Sequence, residues 1–130
     1  MPNHVANKFI ASGNEQDLKK LFNIFSDDGS VTFNKIIPMP DELQIDSCSS
    51  GDWAVKILTS KGFHDVSHLN SPPLTKWCAE NGITRISDLI KALETSPPKG
   101  LGININLGKK YLLNIANYGC RTWYEWCPEN

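Results

Sequence analysis

The chain has 130 residues, 40% of them hydrophobic, with 13 basic and 14 acidic side chains and a formal net charge of −1. That length suits one domain with its own core, and the composition is that of a globular rather than a disordered protein. Near-neutral charge excludes a strong overall field for nucleic acid or an anionic membrane, and no run approaches the roughly 18 apolar residues of a membrane span.

Val5, Phe9 and Ala11 alternate with Ala6 and Ile10, which predicts a strand over residues 4–11. Ser12-Gly13 breaks it, and Asn14 then stands as an N-cap with Glu15 and Asp17 in the first turn. Leu18, Leu21, Phe22 and Phe25 recur at helical spacing, the clearest periodicity in the chain. Asp27-Asp28-Gly29-Ser30 ends the helix, and the β-rich run Val31 to Ile37 predicts a second strand stopped by Pro38 and Pro40. The first forty residues therefore spell strand, helix, strand.

From residue 41 onward the pattern is helical. An acidic loop precedes a helix from Trp53 to Ser60, closed by Gly62. Ser71-Pro72-Pro73 starts another, ended by Asn81-Gly82. Thr84 or Ser87 caps a third, with Leu89, Ile90 and Leu93 apolar, before the break at residues 96–100. Leu101 to Leu107 alternates as a strand does, yet it runs into a helical pattern over about 104–118 that ends at Tyr118-Gly119; both readings stand for residues 101–107. Thr122 caps a final helix through Trp123, Trp126 and Cys127. Tyr118, Trp123, Tyr124 and Trp126 fall within nine residues, so this segment is expected to be the packing centre of the fold. The expected organisation is one domain over 1–130: a β-α-β unit over 1–40, then a helical region with an aromatic end.

Three stretches carry a family resemblance. The N-terminal Met-Pro-Asn-x-Val-x-Asn with Gly13, the Phe-Asn-Lys-Ile-Ile-Pro-Met-Pro run at 33–40, and Tyr-Gly-Cys-Arg-Thr-Trp-Tyr-Glu-Trp-Cys at 118–127 resemble the YubB-like family of plasmid, prophage and phage proteins. The resemblance implies a ferredoxin-like domain, of which residues 1–40 would be an incomplete half, and an accessory role in a mobile genetic element. In that family the aromatic segment runs on into Asn-Trp-Gly-Thr-Lys-Trp, and Asn130 stands at the place of that motif's Asn. The chain is thus expected to correspond to the family's N-terminal part. The family offers no settled activity to assign to named residues. Strands left unpaired at 4–11 and 31–37 would invite self-association through their edges.

Catalytic signatures are sparse. His64 and His68 lie at i and i+4, a metal-ligand spacing if the segment is helical, though no third ligand is near and two histidines in a loop fit as well. Cys120 and Cys127 are seven apart, wider than zinc-ligand pairs, and read as core thiols. Pro2, once exposed by methionine removal, would be a secondary amine able to act as a general base, as in tautomerases built from β-α-β units; an ordinary strand-leading proline is the plainer reading. No phosphate-binding loop is present. Lys109, Lys110 and Arg121 beside Trp123, Tyr124 and Trp126 form a basic and aromatic group of the kind that stacks single-stranded nucleic acid, provided the rings are exposed. Their charge is part of a local +2 over residues 66–130, against −3 over residues 1–65.

The N-terminus lacks a basic segment followed by an apolar run, which points to the cytoplasm and to reduced thiols at Cys48, Cys78, Cys120 and Cys127. The sequence as a whole predicts an α+β protein without cofactor, acting as a non-enzymatic binding module for a protein partner. The alternatives are a single-stranded nucleic-acid module and a small enzyme using Pro2 or the histidine pair.

Overall fold

The structure is a computed structural model that describes residues 8–60 and 65–126, apart from the side chain of Phe33. It is α+β: among the described residues there are five α-helices and one two-stranded antiparallel sheet. The chain forms two compact units, residues 1–39 and 40–130.

Unit 1 is built on α1, Glu15–Phe25. Asn14 caps it as expected: its Oδ1 accepts the Asp17 backbone N–H at 2.9 Å. Beyond α1 the chain forms a hairpin rather than a single long strand. Asp28 and Gly29 both have positive φ, 46° and 80°, and make a two-residue turn between β1, Ser26–Asp27, and β2, Ser30–Val31. An Asp-Gly pair suits such a turn because both central residues need the left-handed region. The strand expected over 31–37 therefore shrinks to its first residue. Phe33–Lys35 is a 3-10 turn instead, in which Thr32 Oγ1 accepts the Asn34 N–H and Asn34 Oδ1 accepts the Met39 N–H. The Thr32 and Asn34 side chains each satisfy a local backbone donor and so compete with a ladder. Residues 8–11 are not strand, and residues 4–7 of that expected strand lie outside the described residues.

Unit 2 holds the core. Helix α2 is Ser49–Thr59, starting four residues before the expected Trp53. Helix α3 is Pro72–Glu80, with proline in its first turn and the chain leaving through Gly82 at φ 67°. Helix α4 is Ile86–Thr95, with Arg85 at the N-cap and no side-chain cap, so neither Thr84 nor Ser87 plays the expected role. Helix α5 is Ile105–Tyr118. Asn104 Oδ1 accepts the Leu107 N–H at 3.0 Å, and Gly119 closes the helix in the left-handed region at φ 74°. The strand reading of 101–107 fails because Gly100 and Gly102 both take positive φ and Asn104 caps a helix. Ile57, Leu69, Leu74 and Leu89 are fully buried, each contributing about 1.5–3 kcal/mol of burial.

Among the described residues, helices α2 and α5 pack most extensively against each other. Gly108 faces Ala54, and Gly51 faces the ring of Tyr111. These two glycines sit inside helices, where they cost helix propensity, and in return let two backbones approach.

No helix among the described residues is long and apolar enough to cross a membrane.

Candidate functional site

The aromatic segment is not the packing centre of unit 2. The buried ring is Tyr111, with no exposed surface, whereas Trp123 is 48% and Tyr124 75% exposed. Tyr118 and Trp126 are half-buried. The final helix expected from Thr122 through Cys127 is a 3-10 turn over Trp123–Glu125, and Cys127 lies outside the described residues. The chain turns at Gly119, Cys120 and Thr122 tuck inward, and the next two rings are left on the surface. They meet edge to face, centroids 5.5 Å apart at 82°, the arrangement that aromatic quadrupoles prefer.

Arg121 holds this turn in place. Its Nε donates to Glu125 Oε1 at 2.7 Å, its backbone N–H donates to Glu125 Oε2 at 3.0 Å, and its two Nη groups pair with Asp52 and Glu125. Its guanidinium carbon also lies 6.0 Å from the Tyr111 ring centroid. The hydrogen bonds from Arg121 hold the Glu125 carboxyl below the usual carboxylate range, and those same bonds raise the guanidinium still further. Asn114, buried on α5, ties the segment to the start of unit 2: its Nδ2 donates to the Arg121 and Glu42 carbonyls, 2.9 Å each. Tyr118 donates its hydroxyl to Glu42 Oε2 at 3.1 Å, and burial, then this carboxylate, push the phenol upward.

The cations expected beside the rings are thus mostly spoken for. Arg121 is enclosed by two carboxylates. Lys109 pairs with Glu94 on α4. Lys110 is exposed and has no ion pair among the described residues, but it lies about 14 Å along α5 from Gly119 at 1.5 Å per residue. The structure therefore brings Arg121, Trp123 and Tyr124 together, leaves Trp126 half-covered nearby in sequence, and separates Lys109 and Lys110 from them. Glu42, Asp52 and Asn114, with Tyr118, complete the network, and sequence reasoning gave them no part in a site. The i, i+4 spacing of Arg121 and Glu125 is a visible signal; Glu42 and Asp52, about seventy residues upstream, give none.

The other candidates are dispersed. His68 is exposed in a 3-10 turn, Val66–Leu69, that starts after Asp65 bridges to Arg85, so the α-helical spacing of a histidine pair is not formed there. His64 and Pro2 lie outside the described residues, and no group of three or more metal-ligating side chains occurs among the described ones.

Among the described residues three thiols are free. Cys78 and Cys120 are buried, and burial raises both. Cys48 is exposed at the N-cap of α2, with Sγ 3.0 Å from Ser50 Oγ, and the Ser50 hydroxyl together with the Gly51 backbone lowers its thiol. No family model, curated protein or solved structure matches the chain.

Proposed function

We propose that the protein is a non-enzymatic binding module whose unit 2 receives a cationic peptide segment of a partner protein on Trp123 and Tyr124. One observation carries this reading: two adjacent, exposed rings lie in one short segment with Arg121, whose guanidinium is already paired with two carboxylates, Asp52 and Glu125, while a third, Glu42, accepts the Tyr118 hydroxyl. Aromatic faces attract cations, and an acidic surround strengthens that attraction and steers arginine and lysine side chains toward it. Phosphates meet the opposite field, since binding them requires cations that are not already neutralised. Single-stranded nucleic acid is accordingly the weaker reading, with Lys110 as its remaining cation.

The wider setting belongs to the same proposal. An accessory role in a mobile genetic element, a YubB-like relationship with a ferredoxin-like half, and a cytoplasmic location rest on the three sequence segments and the N-terminal pattern. The two-residue strands of unit 1 lend the ferredoxin-like arrangement no support.

The experiment is a titration of the full chain with an arginine-rich peptide and, separately, with single-stranded DNA, monitored by tryptophan fluorescence at low and physiological salt. The expected result is saturable peptide binding that Trp123→Ala and Tyr124→Ala each weaken about tenfold or more and Lys110→Ala leaves unchanged. DNA binding that weakens steeply with salt and with Lys110→Ala replaces this reading with the nucleic-acid one. Binding to neither probe removes it.

A further inference from the structure

Trp123 and Tyr124 sit inside a loop whose two ends are fastened to each other. Arg121 is one end and Glu125 the other: the Arg121 N–H donates to Glu125 Oε2 at 3.0 Å, its Nε donates to Oε1 at 2.7 Å, and one Nη group pairs with the same carboxylate. The 3-10 turn between them, Trp123–Glu125, is only three residues long, and Thr122 at its N-cap supplies no side-chain cap. The Thr122 Oγ1 is buried without a partner among the described residues instead. A turn this short has weak hydrogen-bond geometry of its own, so the clasp of Arg121 on Glu125 is what closes the loop.

The clasp is also fixed to the body of unit 2. The other Nη group of Arg121 pairs with Asp52 on α2, and the guanidinium carbon lies 6.0 Å from the ring centroid of Tyr111 on α5. That ring is fully buried and is held by its hydroxyl, which donates to the Asp46 carbonyl at 2.6 Å.

We propose that Arg121 and Glu125 are positioning residues for the aromatic surface: their clasp holds Trp123 and Tyr124 in the arrangement that a cationic partner segment meets. This rests on the binding reading above and gives Arg121 a part in it that its charge does not suggest. By sign alone Arg121 repels a cationic segment, so removing it should tighten binding. As half of a clasp it preorganises two rings, so removing it should weaken binding. Positioning outweighs sign here because the guanidinium is already neutralised by two carboxylates, whereas two freed rings would each have to be immobilised when the partner binds. The fold depends on the clasp less than the loop does, since Arg121 and Glu125 are each about one-third exposed.

The test is Arg121→Gln combined with Glu125→Gln in the full chain, which removes the clasp and leaves the net charge unchanged. With fluorotryptophan incorporated throughout, the Trp123 fluorine resonance is assigned by its loss in Trp123→Phe. It is expected to move in the double variant, while the resonance of Trp77, which packs on the core, stays in place; this separates a freed loop from an unfolded unit. In titration with the arginine-rich peptide the double variant should bind about tenfold more weakly than the parent. Arg121→Gln alone should also bind more weakly, although it removes a positive charge. Arg121→Lys keeps the charge but cannot fork between two carboxylates, so it should weaken binding too, and it decides the matter if the double variant displaces Trp77. A Trp123 resonance unmoved by loss of the clasp overturns the proposal. So does parent-like binding by the folded variants, or tighter binding by Arg121→Gln. A parent chain that binds no peptide overturns the binding reading and this proposal together, a result distinct from a parent and variants that bind alike.

Discussion

Gly51 lies directly against the ring of Tyr111: a β-carbon built on the glycine would stand 2.8 Å from Tyr111 Cζ and 3.0 Å from Cδ2. The ring has no room to retreat, since its hydroxyl donates to the Asp46 carbonyl at 2.6 Å and accepts the Cys48 N–H at 3.1 Å. Gly51→Ala should therefore destabilise unit 2 by about 1–3 kcal/mol, the cost of overpacking, despite alanine's better helix propensity. Urea unfolding monitored by tryptophan fluorescence gives the value. A variant as stable as the parent would show that α2 and α5 do not approach this closely.

Thr122 presents the opposite case. It is fully buried, and its Oγ1 has no hydrogen-bond partner among the described residues. A buried hydroxyl without a partner costs free energy that a methyl group of the same shape does not. Thr122→Val is expected to raise stability by up to about 1 kcal/mol, measured as a shift in the urea midpoint at constant slope. Destabilisation would mean that the hydroxyl has found a partner.

The Glu125 carboxylate should give the fold an acid-side dependence. Its value is lowered in the folded state by Arg121, so the stabilisation is fully present above the ordinary carboxylate value of about 4.3 and is lost as pH falls through the lowered value. Thermal melts below about pH 4.3 should show this loss, and Glu125→Gln should flatten it. At neutral pH the same substitution is expected to cost no more than about 1 kcal/mol, because both side chains are about one-third exposed.

Cys48 should be alkylated well before Cys78 and Cys120. It is exposed, and its thiolate is favoured by the Ser50 hydroxyl at the start of α2, whereas burial shields the other two and raises their values. Timed iodoacetamide labelling with peptide mass mapping measures the order. Ser50→Ala should slow the Cys48 reaction, and equal rates for the three thiols would contradict the burial described.

Much of the helical framework is legible in the sequence because its signals are local. Asn14 before the Leu18, Leu21, Phe22 and Phe25 stripe, Pro72-Pro73 at the head of α3, and Gly119 at the end of α5 each act on neighbouring backbone groups. The hairpin is legible in part. Asp28-Gly29 marks a turn, but a turn residue does not tell how far the strands beside it extend. Of the candidate site, the sequence points to Arg121, Trp123 and Tyr124 but leads to rings inside, whereas Trp123 and Tyr124 are exposed and Arg121 is paired with two carboxylates.

The sequence alone determined where most helices begin and end, and that an aromatic run stands near residue 123, because capping and periodicity act over a few residues. Only the tertiary structure decided which ring is buried and that Arg121 is neutralised by Asp52 as well as Glu125. Both depend on groups far apart in the chain meeting across α2 and α5; burial and ion pairing are properties of contact between segments rather than of either segment.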